Sequence, residues 1–178
     1  MSGGSGPSAL GGAVIFDRDG VLNRDVGYAF RPEQIAWVEG AMAAVKAVND
    51  AGLYAFVATN QSGVARGYYT EADVEALHVW MNGELAQHGA HIDAFAFCPH
   101  HEAGTVAGYD RACDFRKPGP GMILSLLRRF PVDPARALMI GDSPSDVAAA
   151  KAAGIAGVLF TGGSLADALA PHLPRLAG

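Results

Sequence analysis

The stretch AVIFDRDGVLN, residues 13–23, decides the fold. The apolar run from Ala13 to Phe16 leads straight into Asp17. It is too short for a helix, and apolar at every position, so it reads as a strand buried on both faces. Asp17-Arg18-Asp19-Gly20 then puts two carboxylates and a turn glycine just past the strand's carboxyl end. The same unit recurs along the chain. Leu53 to Ala58 reads as a second strand, interrupted by Thr59-Asn60. Ile92 to Phe97, Ala137 to Ile140 and Ile155 to Phe160 read as the third, fourth and fifth. Helical faces separate them: Met42, Val45 and Val48 before Gly52; Val74, Leu77, Met81 and Leu85 after the Thr70/Asp73 cap; Met122, Ile123, Leu126, Leu127 and Phe130; and Ser143 to Ala153, closed by Gly154. Leu165 to Leu176 is weakly helical. Strands alternating with helices predict an α/β fold: a doubly wound, Rossmann-like parallel sheet with helices on both faces.

Composition agrees. The chain has 178 residues, enough for one domain. Half of its residues are hydrophobic, but 33 are alanine, so the core rests on fewer large side chains than that share suggests. No apolar run approaches the roughly 20 residues of a membrane span, and the chain is too apolar and too weakly charged for disorder. A net charge of −5 argues against a nucleic-acid binder, which needs a basic face. Two cysteines are too few for a disulfide framework. The opening MSGGSGPSALGG, residues 1–12, is Gly/Ser-rich without a basic stretch and reads as a flexible leader. The domain proper is then 13–178, with a long aperiodic loop at 98–118, in a cytoplasmic and monomeric protein.

In doubly wound sheets ligands bind beyond the carboxyl ends of the strands. Those ends carry Asp17-Arg18-Asp19-Gly20, Thr59-Asn60-Gln61-Ser62-Gly63, Arg116-Lys117-Pro118, and Gly141-Asp142 with Asp146. Carboxylates gathered at one rim repel unless a cation sits among them, and a few hard oxygen ligands suit Mg²⁺. A lysine and a hydroxyl beside them suit a phosphate.

FDRDGVLN, TNQSG, RKP and GDSPSD, in that order, resemble the four motifs of the haloacid-dehalogenase-like phosphatases. LNRDVGY after the first motif, TNQSGVARG, CPHH and CDFRKP make the chain most similar to the D-glycero-D-manno-heptose 1,7-bisphosphate phosphatases, and less closely to the histidinol-phosphate phosphatases. The resemblance implies a Mg-dependent phosphatase acting on a small phosphorylated sugar. Asp17 would be the nucleophile that forms an aspartyl-phosphate, and Asp19 the general acid and base. Thr59 and Lys117 would bind the phosphoryl group, and Asp146 would orient the metal end. Asp17, Asp142 and the backbone carbonyl of Asp19 would hold Mg²⁺. Asp25, Gly27, Tyr28, Asn60, Gln61, Ser62 and Arg116 would form the sugar-phosphate site, with Arg66 either there or merely solvated. Between Asp17, Thr59 and Lys117 the chain has no room for a separate cap domain, so an open cleft is expected.

The long loop departs from the family pattern. Cys98, His100 and Cys113 fill three positions of a Cys-x-His…Cys-x-Cys zinc site, and Phe115 stands at the fourth. Three readings stay open: zinc on three ligands plus water or His101, an empty site packed by Phe115, or a disulfide. Two other classes also stay open, a phospho-receiver domain and a phosphate-binding domain without catalysis.

Overall fold

The protein was analysed as a computed structural model that describes residues 10–178. Five strands pair in parallel: β1 (Gly11–Phe16), β2 (Tyr54–Asn60), β3 (Ala94–Cys98), β4 (Val132–Gly141) and β5 (Ala156–Leu159). Their order is β3-β2-β1-β4-β5, so the winding direction reverses at β1. Between them run α1 (Ala41–Asp50), α2 (Glu71–Gln87), α3 (Gly121–Arg129) and α4 (Pro144–Ala152), and α5 (Leu165–Leu169) and α6 (Leu173–Ala177) follow.

Period-two alternation in β1 splits the core. Val14 and Phe16 face a layer with Val45 and Val48 of α1, Leu77, Met81 and Leu85 of α2, and Leu165 and Leu169 of α5. Ala13 and Ile15 face the other layer, with Met122, Ile123 and Leu126 of α3 and Ala149 and Ala150 of α4. Both faces of the sheet are thus covered, which is why its strands are continuously apolar. Among the described residues no separate cap is inserted between the strands. Helix α2 starts at the expected cap: Thr70 Oγ1 accepts from the Asp73 amide, and Asp73 accepts from the Thr70 amide.

Several boundaries differ from the sequence reading: β3 starts at Ala94 rather than Ile92, β5 is Ala156–Leu159, and three further differences bear on packing. The first nine residues of the expected leader lie outside the described residues, but Gly11 and Gly12 already belong to β1. Gly11 N donates to the Pro131 carbonyl at 2.8 Å, and a side chain at Gly12 would collide with the Leu176 backbone, so these glycines serve strand pairing and packing rather than a flexible leader. Strand β2 is not interrupted at Thr59-Asn60; both residues pair with Phe97 and Cys98 of β3. Strand β4 starts early, at Val132, through an irregularity in its register with β1.

Candidate active site

The reversal at β1 opens a cleft of about 460 Å³ beyond the carboxyl ends of β1, β2 and β4. Asp17 lies on its floor, one residue past β1, with its amide held by the Ile140 carbonyl at 3.0 Å. Lys117 arrives from the 99–120 loop. Its buried Nζ donates to Asp17 Oδ1 at 2.8 Å and the Ala58 carbonyl at 2.9 Å, and pairs with Asp146 Oδ1 at 2.5 Å. Asn60 fastens the lysine's main chain: Lys117 N donates to Asn60 Oδ1 at 3.0 Å, and Asn60 Nδ2 donates to the Lys117 carbonyl at 3.1 Å.

Asp146 is not a solvent-facing residue of the first helical turn. It is buried, and its Oδ2 accepts from the Ser143 amide at 3.0 Å in the capping box of α4. Two glycines admit the carboxylates. A Cβ at Gly141 would overlap the Asp146 carboxyl, and one at Gly20, which sits at φ +87°, would overlap that of Asp142.

One lysine faces three carboxylates whose oxygens converge within 4.8 Å, those of Asp17, Asp142 and Asp146. Burial pushes Asp17 up to about 7, with Lys117 opposing and Asp146 adding to the rise. Asp142 is raised as well, by burial and then by Asp146. Lys117 is held charged by the carboxylates despite its burial. The cluster is short of positive charge, which is the condition a divalent cation relieves, and hard carboxylate oxygens fit Mg²⁺.

Asp19 lies across the cleft. Its carboxylate accepts from Arg18 Nη2 at 3.0 Å, Asn23 Nδ2 at 3.0 Å and Gln61 Nε2 at 2.9 Å. Gln61 also donates to Thr59 Oγ1 at 2.9 Å, which leaves the threonine hydroxyl hydrogen for an oxygen in the cleft. Tyr69 donates to Gln61 Oε1 at 2.7 Å, and burial pushes its phenol up to about 12, so it stays a donor. Asp25, Gly27, Tyr28, Asn60, Gln61 and Ser62 all line the cleft. Tyr28 sits at φ +54° and meets the ring of Tyr68 edge-on at 4.8 Å.

Arg116 does not line this cleft: with His101, Arg111 and Cys113 it lines an adjoining depression of about 250 Å³, which shares Lys117 with the cleft. Tyr69, Ser143 and Ser145, which sequence reasoning did not assign, do line the cleft. Ser143 read only as a helix cap, and Tyr69 carried no motif.

The loop brings Cys98, His100 and Cys113 together, their ligand atoms within 4.8 Å of one another. His101 is not among them; its Nδ1 accepts from the Ala103 amide at 3.0 Å. Phe115 turns against Gly121 and is 38% exposed, so it is not a buried plug. Burial pushes the Cys98 thiol up to about 11. Both cysteines are free thiols. Among the described residues no helix is long and apolar enough to cross a membrane.

Two aspartates spaced by one residue after the central strand of a parallel sheet, facing a lysine and a further carboxylate at the winding reversal, define the class of haloacid-dehalogenase-like hydrolases. A family profile described as HAD-hydrolase-like matches residues 114–176. The D-glycero-beta-D-manno-heptose-1,7-bisphosphate 7-phosphatase of Rhodopseudomonas palustris is 55% identical over 150 residues, 84% of this chain and 83% of the relative. That of Escherichia coli strain K12 is 40% identical over 143 residues, 80% of this chain and 75% of the relative. The crystal structure of D,D-heptose 1,7-bisphosphate phosphatase from B. bronchiseptica, complexed with magnesium and phosphate, superposes with a TM-score of 0.75 at 38% identity, covering 89% of this chain and 86% of that one. The chain therefore belongs to the haloacid-dehalogenase-like hydrolases and, within them, to the D-glycero-D-manno-heptose-1,7-bisphosphate phosphatases.

Proposed function

We propose that this chain is a Mg-dependent phosphatase that removes the 7-phosphate of D-glycero-D-manno-heptose 1,7-bisphosphate through an aspartyl-phosphate. The observation that carries it is the Asp17–Lys117–Asp146 cluster placed across one cleft from the tethered carboxylate of Asp19. Both donors to Asp17, the Arg18 amide and Lys117, fall on Oδ1 at 2.8 Å, which leaves Oδ2 as the attacking oxygen. Oδ2 bonds to phosphorus as the ester P–O bond breaks, and Asp19 gives its proton to the departing sugar oxygen. Asp19 then takes a proton from the water that attacks phosphorus, and the Asp17 carboxylate is released. Thr59 Oγ1 and the Ser62 end of the β2 loop bind phosphoryl oxygens whose charge grows in the transition state, and the Lys117 ammonium, its hydrogens held by Asp17, Ala58 and Asp146, places a fixed positive charge beside them. Asp17, Asp142 and the Asp19 backbone carbonyl would hold Mg²⁺, which supplies the positive charge that lets an anionic substrate approach a carboxylate.

Phosphate release from the heptose bisphosphate, followed with Mg²⁺ and with chelator, tests this reading. Activity is expected only with the metal. Asp19→Asn is expected to lower turnover by about 10²–10⁴-fold, the usual contribution of general acid–base catalysis. Metal-independent turnover, or a fully active Asp19→Asn variant, would remove the proposal. These outcomes also separate an enzyme from a domain that merely binds or stores phosphate.

We propose further that Cys98, His100 and Cys113 hold zinc only weakly, because three converging ligands leave one tetrahedral corner without a protein atom. Arg111 donates to His100 Nε2 at 3.0 Å, which favours the ring tautomer whose Nδ1 is protonated, and that hydrogen must move before Nδ1 can bind a metal. Phe115→Cys supplies a fourth ligand, the third thiolate, at modest packing cost, since the phenyl ring is only partly buried. Metal analysis of protein purified without added zinc should show zinc rising toward one per chain, with better resistance to chelator. Stoichiometric zinc already present in the wild type would contradict weak binding.

A further inference from the structure

Arg18 stands between the two candidate catalytic aspartates, and none of its side chain reaches solvent. A guanidinium offers five N–H donors in one rigid plane and no acceptor. Here Nε and Nη2 donate to the Asp19 carboxylate at 3.0–3.3 Å, and Nη2 also reaches the Ala29 carbonyl at 2.8 Å. Nη1 lies 3.2 Å from Nε2 of His78. His78 comes from the buried face of α2, and its ring stacks on Phe95 with centroids 4.4 Å apart and planes 16° from parallel. Arg18 can only donate, so Nε2 must accept and the ring hydrogen sits on Nδ1. Burial, and after it the Arg18 charge, push His78 down to about 3, so the ring stays a neutral acceptor.

We infer that His78 is a positioning residue for Asp19. By taking Nη1 it fixes the rotation of the buried guanidinium, whose Nε/Nη2 edge in turn fixes the carboxylate that gives and takes the proton. With no acceptor at position 78, Nη1 would be a buried charged donor without a partner. A planar fork that turns to recover one carries Nε and Nη2 off Asp19. This rests on the reading of Asp19 as general acid.

The test uses two leaving groups, with Mg²⁺ present. An alkyl sugar phosphate needs the Asp19 proton to depart; the nitrophenolate of p-nitrophenyl phosphate does not. The ratio kcat/KM reports phosphoryl transfer to Asp17 for each. His78→Leu is expected to lower it about tenfold on the sugar phosphate and less than about twofold on the aryl phosphate, as expected for a displaced catalytic group. His78→Gln, whose amide oxygen can accept from Nη1, should restore the sugar phosphate value to within about threefold. His78→Phe keeps the ring against Phe95 without the acceptor, and carries the test if the leucine variant does not fold. Equal losses on both substrates, no loss on either, or a glutamine variant as impaired as leucine would overturn the inference. Asp19→Asn is run alongside. If it turns over the sugar phosphate normally, the acid–base reading itself falls; if it is impaired while His78→Leu is not, only the positioning role falls.

Discussion

Asp17→Asn is expected to abolish phosphate release, with a loss of at least about 10⁴-fold, because the amide cannot form the acyl-phosphate and no neighbouring group replaces it. Rapid acid quench with labelled substrate should trap phosphate on the wild-type chain and none on the variant. The same change should leave the fold intact and alter how its metal-free stability depends on pH. Burial raises Asp17 from 3.8 to about 7. Between those values the folded chain keeps a proton that the unfolded chain releases, so stability falls as pH rises through that window. The asparagine variant lacks this contribution. Metal-free melts at pH 5 and pH 8 should therefore differ more for the wild type than for the variant. Residual turnover near the wild-type rate would end the assignment of Asp17 as nucleophile.

Lys117→Met is the second large effect. The side chain is unbranched and only one atom shorter, but Asp17 and Asp146 are then left in one buried site without the cation that holds them. Removing one partner of a buried pair typically costs roughly 3–5 kcal/mol. Urea unfolding at pH 7 in chelator should show a loss of that size, shrinking at pH 5 as a proton takes over part of the lysine's task. Turnover should fall by about 10²–10³-fold, since the phosphoryl charge loses a preorganised positive charge beside it. A variant as stable as the wild type at pH 7 would mean that the cluster does not depend on Lys117.

The candidate rim was legible because its motifs are contiguous and all but that of Lys117 end a strand. AVIFD, TNQSG and MIGD each announce both the strand and the residue that leaves it. Features made by distant partners were not. Thr59-Asn60 reads as a break because its side chains are polar, yet β3 supplies the backbone bonds that keep it a strand. Gly11-Gly12 reads as leader because strand propensity says nothing of the close approach of Leu176. His78 reads as one residue on a helix; its partner, Arg18, lies sixty residues away. Arg116 sits beside Lys117 in sequence, but the chain directs it to a neighbouring depression.

The paired hydrogen bonds between Asn60 and the Lys117 main chain separate two kinds of constraint. Lys117 ends the 99–120 loop, yet it is buckled to a strand in the middle of the sheet and inherits the sheet's rigidity. The place of the charge that faces Asp17 is set by this buckle to the sheet rather than by the loop residues upstream of it. Phe115 lies in that upstream stretch. The sheet thus fixes where the lysine stands, and the loop has only to deliver it there.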